Sequence, residues 1–391
     1  MEVGVPPTDR NEVLDRVRTV CSEISGPRAA EVDSDARWPA ESLRALQKAG
    51  IGGLTVPEAS GGLGQGLLSL VQVCELLGRE CPSTALCLGM HGVGAAVIAA
   101  KASPHQRECY LEPIARGDHL TTLALSESGT GIHFYFPQAE LVSEAGGDFR
   151  VTGTKTLVTN GGYADSYVVS TVAAAPVAAP HHFSCVVVSK DAEGLDWGPP
   201  WRGMGMRGNS SRQMNLQGVR LAPRDLLGKE GDELWYVFQV ITPYLLAAMT
   251  GTFLGAASGA LDQARRHLTE RMYSHSGSSP AQSPVVQHRL GTLWGNVERT
   301  RRLAYHAAHC GDAGGGEALE LLLSARAEVA ECAVTIVNEA LTLCGGGGYA
   351  DGGPLERSLR DVRAAHVMSP STDLLRTWTG RMLLGLPVLG D

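Results

Sequence analysis

The sequence predicts a mainly α-helical chain with a central β domain, and three observations carry that prediction. Apolar runs of helical length, stopped by glycine or proline, occupy residues 1–120. Short β-branched runs between turn residues occupy 121–228, which reads as a small antiparallel sheet or barrel. Helical patterns return after Gly228 and persist to residue 391, so we expect three domains: 1–120, 121–228 and 229–391.

Within the first domain, Pro39 fits a helix start, Leu43 and Leu46 give the apolar spacing, and Gly50 is placed to terminate. Glycines 61, 62, 64 and 66 break the chain before a second apolar helix over 67–79; residues 92–100 continue the theme, and Pro104 opens another helix. In the second domain the runs 121–125, 149–151, 157–159, 167–172, 185–188 and 213–219 predict strands. They are separated by Gly146-Gly147, Asn160-Gly161-Gly162 and Gly198-Pro199-Pro200. Residues 173–180 are Ala/Pro-rich and predict an exposed connection. In the third domain helices are expected over 235–275, 285–311 and 317–343, the last with Leu319, Leu322, Leu323, Val329, Ala333, Val337 and Leu341 on one broad face. It stops against four glycines, and a final helix is expected from Ser369 or Ser371 to about 384.

A formal net charge of −8, with no block of Lys and Arg interleaved with aromatics, argues against nucleic acid or an anionic membrane as a main partner. Nine cysteines with no Cys-x-x-Cys pair read as small buried hydrophobes in a reducing compartment, so neither a disulfide framework nor a metal site is expected. Residues 1–20 hold no apolar signal run, and a cytoplasmic location is the expectation. One stretch, 234–261, is free of charge and long enough to span a bilayer. Its Gln, Thr, Pro and Ser content and the Gly251, Gly255, Gly259 repeat indicate instead a buried helix closely approached by another, and no membrane is expected.

Gly203-Met204-Gly205-Met206-Arg207-Gly208 matches Gly-x-Gly-x-x-Gly but follows Pro-Pro-Trp and precedes a strand-like run, so it reads as a turn. Leu125-Ser126-Glu127-Ser128-Gly129-Thr130-Gly131 runs from a strand into a polar, glycine-rich loop whose N–H groups and hydroxyl suit an electron-rich planar ring.

Four stretches in order resemble the acyl-CoA dehydrogenase superfamily of flavoproteins: Val56–Gly64, Leu125–Gly131, Lys155–Gly161, and Gly345–Tyr349 followed by Arg360-Asp361. The resemblance spans about 35–380 and implies a helical N-terminal domain, a central β-barrel and a C-terminal four-helix bundle. FAD would lie between sheet and bundle and be completed by a second subunit of a homodimer or homotetramer. Leu125, Ser126 and Gly131 belong to the first signature, with Ser126 at the flavin N5/O4 edge. Val158 and Thr159 belong to the second, where Leu157 stands in place of the usual stacking aromatic. Arg271 aligns with an arginine that reaches the neighbouring subunit's FAD pyrophosphate, a task that suits a forked guanidinium. Gly345 and Gly346 match the turn approaching the same group, and Ser371 and Asp373 match residues that hold the ADP half.

The resemblance also locates a gap. Ser369 occupies the position of the glutamate that takes the substrate's α-proton, and a serine without an adjacent base is too weak for that step. The alternative glutamate position on the earlier bundle helix falls near Leu245, and the family's substrate-side arginine aligns with Leu246. The family uses a backbone N–H at the glutamate position to polarise the thioester carbonyl, and that donor does not depend on the side chain. His366, one turn from Ser369, and His133, where the family continues with Gly-Ser-Asp, are the replacement bases. Three functions follow: FAD-dependent desaturation of an acyl thioester on CoA or a carrier protein, passing electrons to a flavoprotein; a flavin-dependent monooxygenase served by a flavin reductase; or a non-catalytic homologue.

Overall fold

The structure, a computed structural model, describes residues 9–144, 146–172 and 183–390. The Ala/Pro-rich connection lies outside the described residues. The chain opens with α1 (Arg10–Val20), whose N-cap Asp9 accepts the Asn11 N–H, then α2 (Gly26–Ser34) and α3 (Ala40–Lys48). Beyond α3, Gly50 adopts the left-handed φ of 78° that a helix stop requires. Next come α4 (Leu67–Glu80), α5 (Pro82–Ala100), α6 (Pro104–Gln106) and α7 (Glu112–Arg116), with α6 opened by a Ser103/Gln106 capping box.

Among the described residues, eight strands fall between Thr121 and Leu227. They are β1 (Thr121–Ala124), β2 (Glu140–Ser143), β3 (Phe149–Val158), β4 (Ser166–Val172), β5 (Phe183–Ser189), β6 (Leu195–Trp197), β7 (Arg212–Leu221) and β8 (Leu226–Leu227). They make two four-stranded sheets, ordered β1-β4-β5-β8 and β2-β3-β7-β6. One apolar core lies between the sheets, with Tyr167, Val169, Val186 and Val188 from the first facing Leu141, Val151, Met214 and Val219 from the second. The expected all-antiparallel pairing is corrected at one place: β1 pairs parallel with β4. The runs expected at 149–151 and 157–159 are one ten-residue strand, β3.

Helices then resume: α8 (Glu233–Tyr236), a π-helical turn over Val237–Ile241, α9 (Thr242–Glu270), α10 (Pro284–Asp312), α11 (Ala318–Cys344), α12 (Pro354–Val362), α13 (Ala364–Val367) and α14 (Thr372–Leu383). α4, α9, α10 and α11 pack on one another. The glycine repeat explains how closely: a Cβ on Gly251 would sit 2.2 Å from the Val71 carbonyl, one on Gly255 2.3 Å from that of Glu75, and one on Gly259 2.4 Å from that of Arg79. Backbone therefore meets backbone along the α4–α9 contact, which no residue with a side chain permits. Where the sequence suggested a single bilayer-length stretch, three helices are long and apolar enough to cross a membrane. The apolar windows of the helices at Pro82–Ala100 and Glu233–Glu270 are 89% and 78% buried inside the protein, that of Ala318–Gly347 only 39%.

Candidate active site

The ends of β1 and β3 bring two of the predicted residues together. Thr156 donates its N–H to the Ser126 carbonyl at 2.7 Å, and Thr122 Oγ1 donates to the Thr159 carbonyl at 3.0 Å. Ser126 and Thr159 thus share one rim of the sheet, with Leu125 and Val158 buried beside them. Leu157 lies at φ 55° and is 58% exposed, so a large apolar side chain faces outward from that rim. Asn160 holds the rim to the helical domain: its Oδ1 accepts the Trp38 indole N–H and its Nδ2 donates to the Cys87 carbonyl, both at 2.9 Å.

An ion pair with almost no solvent access supports the first signature from below. Lys155 Nζ donates to Glu127 Oε1 at 2.5 Å and to Ser170 Oγ at 3.1 Å. Glu127 also accepts the N–H groups of Gln138 and Ala139 at 3.0 and 3.2 Å, so one carboxylate closes both ends of the loop. Burial draws the Lys155 ammonium below the ordinary lysine range, and the Glu127 charge opposes that pull. Near this pair stands Glu233, fully buried, with no hydrogen-bond partner for either oxygen among the described residues. Burial pushes its pKa up to about 8, against the attraction of Lys155, so it is neutral at pH 7. Sequence reasoning missed both features, because Glu127 and Lys155 are 28 residues apart and Glu233 sits among ordinary surface-like acids.

The middle of the loop departs from the expected glycine-serine pattern and builds an aromatic contact instead. His133 Nδ1 is 2.7 Å from Tyr135 Oη. Tyr135 and Phe134 are buried against Trp378 of α14, with ring centroids 5.5 and 6.4 Å away, and Phe238 lies 6.4 Å from Tyr135 and 5.9 Å from Trp378. This cluster ties the loop carrying Gly131 and His133 to the helix that follows Ser369. His366, on α13, places Nδ1 3.2 Å from Thr372 Oγ1, while its Nε2 lies 4.0 Å from the Glu331 carboxylate, beyond hydrogen-bond distance. Ser371 is the N-cap of α14, Asp373 is exposed in its first turn, and Ser369 is half-buried before them. Leu245 and Leu246 are buried in α9, and neither supplies a carboxylate or a cation.

Arg271, Gly345 and Gly346 lie elsewhere. Arg271 ends α9, and Gly345 follows α11 next to it, where a Cβ on Gly347 would lie 3.0 Å from His267. From Phe238 to Arg271 the chain is helical, which at 1.5 Å per residue separates the two ends by about 50 Å. One subunit therefore divides the predicted cofactor residues between its two ends. At the far end Arg271 is exposed, and a Cβ on Gly345 or Gly346 would meet nothing within 4 Å, so an open backbone turn stands beside an exposed guanidinium. That donor set fits a pyrophosphate, and the rim at Ser126 and Thr159 fits the edge of a planar ring, so the residues present suit FAD.

The Gly-x-Gly-x-x-Gly stretch is a turn, as expected. It leads into a 3₁₀ segment and β7, and its Gly205 lies so close to α12 that a Cβ would be 2.3 Å from the Arg360 carbonyl. Asp361 accepts the Met206 N–H at 2.6 Å, and burial pushes its carboxyl up to about 7. Arg360 pairs with Asp33 and Glu356. The Arg-Asp motif is thus a structural joint between the turn, α2 and α12.

Comparisons with known proteins bear on the family and the fold. Models of the acyl-CoA dehydrogenase N-terminal, middle and C-terminal domains match residues 7–118, 122–219 and 244–384. Cyclohex-1-ene-1-carbonyl-CoA dehydrogenase of Geobacter metallireducens is 30% identical over 372 residues, 95% of this chain and 97% of that one. The chain belongs to the acyl-CoA dehydrogenase family. Butyryl-CoA dehydrogenase of Megasphaera elsdenii superposes with a TM-score of 0.90 at 23% identity, covering 98% of this chain and 100% of that one. A prolyl acyl carrier protein oxidase, AnaB, superposes at 0.85 and 21% identity, covering 96% and 99%. Family membership makes this protein a flavin-dependent oxidoreductase whose cofactor is FAD.

Proposed function

We propose that this acyl-CoA dehydrogenase family member desaturates an acyl thioester, on coenzyme A or a carrier protein, with His133 as the base in place of the usual glutamate. The observation that carries the reading is the aromatic cluster joining the His133 loop to α14, because it ties a histidine to the segment where the glutamate is missing. FAD supplies the hydride acceptor. Ser126 and Thr159 orient its edge, and the Ser369 N–H, which makes no hydrogen bond within the described residues, polarises the thioester carbonyl. With Nδ1 held by Tyr135, Nε2 of His133 is the atom that takes the α-proton. His366, whose Nδ1 is held by Thr372 at the start of α14, positions that helix instead. We further propose a homodimer or homotetramer in the cytoplasm that hands electrons to a flavoprotein. The separation of Arg271, Gly345 and Gly346 from the rim supports assembly, since a second copy would bring one chain's far end to the other's near end.

Anaerobic mixing with an acyl thioester tests the reading: the flavin absorbance bleaches, and His133→Ala slows bleaching by about 100-fold while His366→Ala changes it only a few-fold. Equal rates for His133→Ala and the parent would remove His133 from the mechanism. A flavin-dependent monooxygenase is the second reading, favoured by Leu245 and Leu246, because oxygenation needs no α-proton base. Substrate-dependent oxygen uptake without thioester-driven bleaching would select it.

A further inference from the structure

The Val56–Gly64 motif takes no part in the site described above, yet it borders a cavity of about 1040 Å³. Pro57, Glu58 and Gly64 form one wall, Phe238 and Tyr244 at the start of α9 a second, and the glycine loop after α10 a third. Phe238 is the same ring that packs on Tyr135 and Trp378, so the lining of the cavity and the cluster that holds the His133 loop share a side chain.

The chemistry of the walls restricts what fits. No Lys, Arg or His lines the cavity, whereas Glu58 and Asp312 both do. Asp312 is committed: its two oxygens accept the N–H groups of Leu67 and Leu68 at 2.6 and 3.0 Å and cap α4. That leaves the exposed Glu58 carboxylate as the uncommitted charge of a lining that also holds Phe238 and Tyr244, a composition that attracts an organic cation and repels carboxylate or phosphate. At Gly316 a Cβ would meet nothing within 4 Å, so part of this wall opens directly into free space.

We propose that this cavity receives the part of the substrate remote from the thioester, and that this part carries a protonated amine. The proposal rests on the acyl-thioester reading above. Its test uses the FAD-loaded full-length protein and calorimetric titration with the N-acetylcysteamine thioesters of 6-aminohexanoate, heptanoate and adipate. The aminohexanoyl ester binds about tenfold more tightly than the heptanoyl ester, and the adipoyl ester binds most weakly. Glu58→Gln brings the aminohexanoyl ester to within about twofold of heptanoyl, as expected when the only uncommitted carboxylate is lost. Gly316→Trp, which fills the open space without a backbone clash, weakens all three about tenfold and leaves the melting temperature unchanged. Adipoyl binding as tight as aminohexanoyl, or a ranking that neither variant alters, overturns the proposal. Flavin bleaching is read in the same samples. Ranked binding without bleaching overturns the dehydrogenase reading alone, and bleaching without ranked binding overturns the cavity proposal alone.

Discussion

At the start of the long helical run through α9, Phe238, Tyr135 and Trp378 pack ring against ring, and a buried Lys155–Glu127 pair holds the loop above them. At its end, Arg271 stacks only on Tyr273, 5.6 Å away, Met272 is 60% exposed, and Gly345 and Gly346 face open space. The near end pairs most of its polar groups with one another, Glu233 excepted, whereas the far end leaves donors suited to phosphate exposed. On the proposed reading, a single chain would complete the ring-facing half of a cofactor site and present the phosphate-facing half to the outside. Substitutions at the near end should therefore register as stability, and those at the far end as binding.

The sharpest way to break that contrast is Lys155→Ala. It strands the Glu127 carboxylate without solvent, and we expect a loss of about 3–5 kcal/mol in urea unfolding. The double variant with Glu127→Gln should recover part of the loss. A single-variant loss below about 1 kcal/mol would mean that water already reaches the pair.

Glu233 gives a smaller and pH-dependent effect at the same end. Its folded pKa of about 8 lies above the ordinary 4.5, so its contribution to stability is fully present below about 4.5 and is lost as pH rises through about 8. Glu233→Gln keeps the shape and removes the titration. Its advantage over the parent should therefore grow between pH 4.5 and 8 to about 2 kcal/mol and stay flat above. A constant difference across that window would show that the carboxyl is hydrated in the folded protein.

What was legible in the sequence follows the range of the forces involved. Helices such as 67–79 and 285–311 were readable because apolar periodicity and their glycine or proline punctuation are local signals, and α4 and α10 fall within two residues of those bounds. β2 and β6 were not, since they have only four and three residues, too few for an alternation to show. Serine 126 and threonine 159 could be paired through their motifs, but the ion pair beneath them joins residues 28 apart with no pattern between them. Asp312 as the cap of α4 is a still longer connection, 245 residues along the chain. Asp312→Ala should cost about 1 kcal/mol and, because a Cβ on Gly66 would lie 2.2 Å from its Oδ1, Gly66→Ala should not be tolerated until Asp312 is shortened. Independent, additive losses at the two positions would contradict that contact.

Arg271 sharpens the comparison from the other side, and its effect on stability is the smallest. The side chain is exposed and, among the described residues, its ring contact is with Tyr273, so Arg271→Ala should leave the urea midpoint within about 0.5 kcal/mol of the parent. FAD retention should nonetheless fall about tenfold or more, because a guanidinium fork on phosphate oxygens is charge-assisted and bidentate. Arg271→Lys keeps the charge but loses the fork, and should recover only part of the affinity. The origin of the effect can be checked by mixing: a subunit with a disabled rim (Thr159→Tyr) and a subunit carrying Arg271→Ala each lack half of a site. If the far end of one copy serves the near end of another, mixed oligomers regain one intact FAD site per pair, and the absorbance at the flavin maximum rises on subunit exchange. If each chain served itself, exchange would restore nothing, and the roughly 50 Å between Phe238 and Arg271 would have to be bridged in some other way.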